Sequence, residues 1–94
     1  MSNNIKDTIF IGKKPLMTYV TSAIIQLATM PLIKIKARGL SIAHAVDVAQ
    51  IVLQRTNPAF VIGDVKIDSE SLESQDGRTR NVSTIEISIK KRAA

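Results

Sequence analysis

Nothing in this chain constrains its folding more than Val82-Ser-Thr-Ile-Glu-Ile-Ser-Ile-Lys90, where apolar and polar residues alternate strictly. Side chains of a strand point to opposite faces in turn, so Ile85, Ile87 and Ile89 lie on one face and Thr84, Glu86, Ser88 and Lys90 on the other. Such a strand needs a sheet to pair with and an apolar layer to cover one side. The segment Phe60 to Leu72 supplies the pairing: Val61, Val65 and Ile67 recur at a two-residue period between Asp64, Lys66, Asp68 and Glu70. Between the two runs, Ser74-Gln-Asp-Gly-Arg78 holds the Asp-Gly pair that suits a tight turn within a polar loop. The spacing predicts a terminal hairpin with arms of about 30 Å, at roughly 3.3 Å per residue.

Upstream, the chain switches between periods. Thr8-Ile-Phe-Ile-Gly12 reads as a short buried strand that places Phe10 in the core, as apolar context also does for Phe60. Gly12-Lys13-Lys14-Pro15 breaks it, and Pro15 fits the first turn of a helix whose apolar face is Leu16, Val20, Ala23, Ile24 and Leu27, ending at Pro31. Leu32 to Ala37 alternates again, with Ile33 and Ile35 opposite Lys34 and Lys36. Arg38-Gly39 turns the chain, and Ser41 is placed to cap a second helix, Ile42 to Arg55, carrying Ile42, Ala45, Val46, Ala49, Val52 and Leu53 on a broad face. Val48 and Ile51 extend that face towards burial on two sides, and Asn57-Pro58 ends the helix.

The order β-α-β-α-β-β implies an α/β two-layer sandwich: a mixed four-stranded sheet with helices against it and an extended C-terminal β-hairpin arm. Ninety-four residues give room for one domain spanning 1–94, with a polar, flexible tail at 1–7.

The chemical inventory argues against catalysis. There is one histidine, His44, and no cysteine, so neither a thiolate metal site nor a disulfide framework can form, and a reducing, intracellular setting is expected. His44 has no second histidine or carboxylate pair to make it a ligand or a general base; Asp47, three residues on, is a simple pairing partner. The glycines at 12, 39, 63 and 77 are too far apart for a dinucleotide fingerprint or a phosphate loop. No enzyme, metal or cofactor is expected, and no apolar run suits a membrane span or a secretion signal.

Charge is more telling. Thirteen Lys and Arg against eight Asp and Glu leave a net +5, which favours a polyanion as partner. The cations sit where elements end: Lys13 and Lys14 after the first strand, Lys36 and Arg38 after the second, Arg78 and Arg80 around the hairpin tip. If the first two strands run parallel, the first two groups share one sheet edge, where helix N-termini also favour phosphate. With only three aromatics, Phe10, Tyr19 and Phe60, stacking on unpaired bases is less expected than recognition of a duplex backbone.

Taken together, Ile11-Gly-Lys-Lys-Pro15 with Tyr19-Val20, Ile35-Lys-Ala-Arg-Gly39, Ala45-Val-Asp47, Ser74-Gln-Asp-Gly-Arg78 and Val82-Ser-Thr-Ile-Glu-Ile87 resemble the Alba family of archaeal chromatin proteins over nearly the whole chain after residue 7. The resemblance implies a fold like the C-terminal domain of translation initiation factor 3 and a homodimer with two projecting arms. It also implies sequence-tolerant binding of double-stranded DNA through backbone phosphates and the minor groove, with RNA binding also known, and a cytoplasmic, chromosome-associated location. Carried onto this chain, the nucleic-acid-binding residues are Lys13, Lys14, Lys36, Arg38, Arg78 and Arg80, and Lys13 is the acetylation position. Acetylation there would remove one positive charge facing phosphate.

The chain departs from the family pattern at three points. Leu40 and His44 stand where many members carry an arginine and a lysine, and Thr56 stands where many carry the phenylalanine through which dimers touch along DNA. Weaker duplex binding and weaker filament formation are the expectations that follow, with pairing with another Alba protein as an alternative to the homodimer; a ribonucleoprotein subunit is the alternative function that RNA-binding relatives of this fold imply.

Overall fold

A computed structural model describes residues 7–93. The strands and helices are β1 (Thr8–Phe10), α1 (Leu16–Leu27), β2 (Leu32–Arg38), α2 (Ile42–Thr56), β3 (Phe60–Glu73) and β4 (Thr79–Lys91), so the order is β-α-β-α-β-β. The four strands form one sheet in the order β1-β2-β4-β3. β1 runs parallel to β2, while β4 is antiparallel to both of its neighbours, which makes the sheet mixed as expected. The tail expected at 1–7 lies outside the described residues except for Asp7.

Alternation along the strands divides the sheet into two unlike faces. Ile9, Ile11, Ile33, Ile35, Ala37, Ile87 and Ile89 are buried in one cluster with Tyr19, Val20, Ala23 and Leu27 of α1 and Ala45, Val48, Ala49 and Val52 of α2. Fully burying a side chain of Val or Ile size stabilises by about 1.5–3 kcal/mol, so this layer dominates the stability of the domain. The opposite face carries no helix. Across it run Phe10, Lys36, Glu86 and Lys66 in one row, each residue paired in register with the next. The expected burial of Val48 is found, with partial burial of Ile51.

Several local expectations are corrected. β1 ends at Phe10 rather than Gly12, although the Ile11 N–H still donates to the Lys36 carbonyl at 2.8 Å. Phe10 is not in the core: Ile9 and Ile11 point inward, so alternation sends Phe10 to the open face, where it is 65% exposed. α1 stops at Leu27, short of Pro31, because the Ala28, Thr29 and Met30 N–H groups already close a terminal turn onto the carbonyls of residues 24–26. Ser41 does not cap α2 with its side chain; it is the last residue of a 3₁₀ turn, Gly39–Ser41, that feeds directly into the helix. Gly39 begins that turn at φ +58°, a conformation costly for any residue with a Cβ.

The largest correction concerns β3. Ile62 pairs with Ile89 and Val65 with Ile87, so three steps on β3 match two on β4. One extra residue forms a bulge at Gly63-Asp64 and reverses the facing of everything after it. Val61 therefore lies opposite Lys90 on the open face, whereas Ile62, Val65 and Ile67 share the helix-bearing side with Ile89, Ile87 and Ile85. The simple alternation of Val61 with Val65 and Ile67 does not survive this shift.

β3 and β4 continue well past the end of β2, whose last residue, Arg38, pairs with Thr84. Residues 69–83 thus project as an arm, and the molecule measures 51 × 31 × 23 Å.

Candidate nucleic-acid interface

Because β1 and β2 are parallel, the loop after β1 and the turn after β2 leave the sheet at the same edge, and the arm extends beyond that edge too. Lys13 and Lys14 occupy the first loop and are exposed. The loop is held from below. The Tyr19 hydroxyl accepts hydrogen bonds from the Gly12 N–H at 2.8 Å and the Lys14 N–H at 3.0 Å, while its ring is buried one helical turn into α1. Tyr19 thereby clamps both sides of Lys13 and presents the two ammonium groups from a fixed backbone. α1 and α2 both start at this edge without a side-chain cap, so their first N–H groups add to its positive potential.

Lys36 and Arg38 lie on the helix-free face of the sheet rather than in the loops. Lys36 Nζ is 3.4 Å from Glu86 Oε1 and 6.0 Å from the centre of the Phe10 ring. Arg38 Nη1 donates to Glu70 Oε1 at 3.2 Å. Together with Lys66, Asp68 and Thr84 these groups line a shallow concavity of about 570 Å³. Both cations therefore carry a carboxylate partner in the isolated chain, which lowers their contribution to any phosphate contact. The Arg38–Glu70 pair is well exposed, so solvent screens it and an incoming phosphate can compete, whereas Glu86 is largely covered and only the Lys36 end of its pair is open to solvent.

Arg78 sits at the hairpin tip, six residues and about 20 Å beyond the level of Arg38. The tip is tightly organised. Ser74 N–H donates to the Arg78 carbonyl at 2.8 Å, the Ser74 hydroxyl donates to the Asp76 carboxylate, and that carboxylate also accepts the Arg78 N–H at 3.1 Å. These bonds, the Ser74 hydroxyl first, hold Asp76 below the usual carboxylate pKa. Gly77 takes φ +82°, which closes the five-residue loop. Arg78 Nε lies 3.6 Å from Asp76 Oδ2, so the tip cation is also paired. Arg80 pairs across the arm with Leu72 and forms no ion pair among the described residues.

Charge is thus unevenly distributed. The projecting residues 69–83 contain Glu70, Glu73 and Asp76 against Arg78 and Arg80, a net −1, which leaves +6 on the rest of the chain. At this edge Lys13 and Lys14 form no ion pair among the described residues, while Lys90 and Lys91 place further positive charge at the opposite end of the sheet, where β2 begins. Of the six cations expected at the site, the structure brings Lys13, Lys14, Lys36 and Arg38 to one end of the sheet, sets Arg80 along the arm and places Arg78 apart at its tip. Glu70, Glu86 and Tyr19 were not legible as parts of the site. The signals for Tyr19 are its aromatic ring four positions after Pro15, on the border of the apolar face of α1, and the Tyr19-Val20 pair within the family resemblance.

His44 and Asp47 are exposed, and no ion pair joins them among the described residues. Among those residues, no group of three or more metal-ligating side chains comes together, and no helix is long and apolar enough to cross a membrane. The Thr56 hydroxyl donates to the Val52 carbonyl of its own helix at 2.8 Å, and Phe60 packs partly against the core.

The model of the Alba family matches residues 7–69. The chain is 67% identical over 95 aligned positions, spanning both proteins entirely, to the DNA/RNA-binding protein Alba of Nitrosopumilus maritimus. It is 42% identical over 88 residues, covering 93% of this chain and 98% of the relative, to the DNA/RNA-binding protein Alba 1 of Archaeoglobus fulgidus. Among solved structures, Alba from Thermoplasma volcanium superimposes with a TM-score of 0.81 at 40% identity, covering 88% of this chain and 98% of the other.

Proposed function

The chain belongs to the Alba family, and from that membership we propose that it is a non-enzymatic nucleic-acid-binding protein, acting on double-stranded DNA without strong sequence preference. The relatives are named for binding DNA and RNA, which supports the broad reading. The observation that carries the finer one is the body edge. Lys13 and Lys14 stand on a loop clamped by Tyr19, beside two uncapped helix N-termini, and this chemistry suits phosphate oxygens rather than base edges. The arm, with Arg80 along it, reaches past that edge towards the adjacent minor groove. Lys36, Arg38 and Arg78 join the contacts by exchanging carboxylate for phosphate, and acetylation of Lys13 weakens them.

The working unit in this reading is a dimer, with a second copy or another Alba protein. Val65 and Ile67 are 53% and 80% exposed on the helix-bearing side of β3, in register with the core residue Ile87 and the partly buried Ile85. An apolar strip continuous with the core is what a second subunit would cover.

Fluorescence anisotropy with a mixed-sequence duplex across a salt series tests the proposal. Affinity that falls steeply with salt and varies little with sequence is the expected result; no binding at low salt overturns it. Phe10 supports RNA as a second ligand, because an exposed ring beside Lys36 on an open sheet face can stack on an unpaired base. Competition between the duplex and a structured RNA, read with Phe10→Ala alongside, separates the two ligands: selective loss of RNA binding in the variant is expected.

A further inference from the structure

Leu40 is 101% exposed, the most exposed of the large apolar residues described. It is the middle residue of the 3₁₀ turn Gly39–Ser41, so its backbone is fixed while its side chain touches nothing that shields it from solvent. The turn lies against β4, with the Val82 side chain 3.6 Å from where a Cβ on Gly39 would sit. Leu40 stands at the sheet edge that carries Lys13 and Lys14, two residues after Arg38, and shares a cleft at the root of the arm with Arg80 and Asn81.

We propose that Leu40 is an apolar wedge that enters the minor groove of bound duplex DNA and partly unstacks one base step, so that the protein kinks the duplex as well as coating it. The inference rests on the duplex-binding reading above. Its surroundings favour a base step over a protein surface. A protein docking site needs a contiguous apolar patch of several hundred Å², whereas the only apolar side chains beside Leu40 in the cleft are the half-buried Ile42 and Val82, with Arg80, Asn81 and Ser83 exposed around them. A single exposed leucine beside Arg80 matches a groove whose walls are phosphate and whose floor is apolar between stacked bases. The arm root gives the wedge a second point of purchase, because Arg80 can hold the phosphate beside the step that Leu40 opens.

A wedge has consequences that a phosphate contact lacks. Pyrimidine–purine steps such as TA unstack easily and A-tracts resist, so a protein that opens a step acquires a modest preference for flexible sequence without reading any base. The experiment uses the full chain and two duplexes of equal length, one with a central TA step flanked by 2-aminopurine and one with an A-tract at the same place. Wild type is expected to raise 2-aminopurine emission about twofold on the TA duplex and to favour it severalfold over the A-tract. Leu40→Ala should bind the TA duplex about three- to tenfold more weakly, with no rise in emission, no preference and an unchanged salt slope, since no charge is lost. Leu40→Arg should steepen the salt slope by about one unit and still give no emission rise. Wild-type binding without a rise, or a rise retained by Leu40→Ala, overturns the wedge and leaves duplex binding standing. Failure of wild type to bind either duplex at low salt overturns the duplex-binding reading itself.

Discussion

Arg38 at the end of β2 donates to Glu70 on β3 across 3.2 Å, so a cation of the expected site is held by the carboxylate of an arm 32 residues further along the chain. Glu70 competes with phosphate for the same guanidinium. Glu70→Gln should therefore raise duplex affinity and steepen the salt slope by about one unit, because the released arginine displaces an additional counterion. Affinity titrations at several salt concentrations read this directly. A loss of affinity would mean that Glu70 serves to orient Arg38 rather than to neutralise it.

Tyr19 makes a separate prediction. Tyr19→Phe keeps the buried ring and removes only the oxygen that binds the Gly12 and Lys14 N–H groups, so stability should fall by about 1 kcal/mol in denaturant titration. Duplex binding should weaken severalfold with the fold intact. In a double-mutant cycle with Lys13→Ala and Lys14→Ala the losses should not add, since the hydroxyl acts through those lysines. Full additivity would assign Tyr19 to packing alone.

Lys13→Ala and Lys14→Ala should weaken binding equally on all duplex sequences, and each should lower the salt slope by about one unit. Lys36→Ala should do less, because Lys36 is already paired with Glu86. Sequence-dependent losses at Lys13 or Lys14 would contradict a backbone contact.

Ile67, 80% exposed on β3, predicts the oligomeric state. Ile67→Lys should leave the circular-dichroism spectrum of the folded protomer unchanged, shift the mass measured by light scattering from dimer to monomer, and lower the thermal midpoint because the stabilisation linked to association is lost. A variant that stays dimeric would place the subunit contact elsewhere.

Asp76 gives the arm a pH dependence. Its pKa is depressed in the folded hairpin, so its stabilisation is complete above the unfolded value and is lost as pH falls through the lowered folded value. Amide signals of Ser74 to Arg78 should therefore keep their folded shifts through mildly acidic pH and collapse only below the ordinary carboxylate range, while those of β2 remain. Collapse near neutral pH would show that another group controls the tip.

How much of this was legible beforehand follows from how local each signal is. The alternation of Ile85, Ile87 and Ile89, and the helical spacing of Val20, Ala23 and Leu27, are read within a few residues and place the core correctly. The bulge at Gly63-Asp64 is invisible to such a reading, because one inserted residue leaves composition unchanged while moving Val61 and Val65 to opposite faces. The apolar neighbourhood of Phe10 suggests a core position, but the alternation that the buried Ile9 and Ile11 impose sends it to the open face. The basic edge could be derived from β1 and β2 running parallel. Its carboxylate partners could not, since Glu86 and Glu70 meet Lys36 and Arg38 only through strand registers set by the whole sheet.

The bulge in β3 also bears on how the protein stays dispersed. β3 is an outer strand of fourteen residues, and a flat outer strand of that length offers a row of unpaired N–H and C=O groups onto which another chain can add. The extra residue bends and twists that row near its start, and Asp64, Lys66, Asp68 and Glu70 follow at every second position. A chain trying to extend the sheet would meet a broken ladder and a line of charges, so the residue that turns Val65 towards the helices also guards the protein against sheet-to-sheet polymerisation.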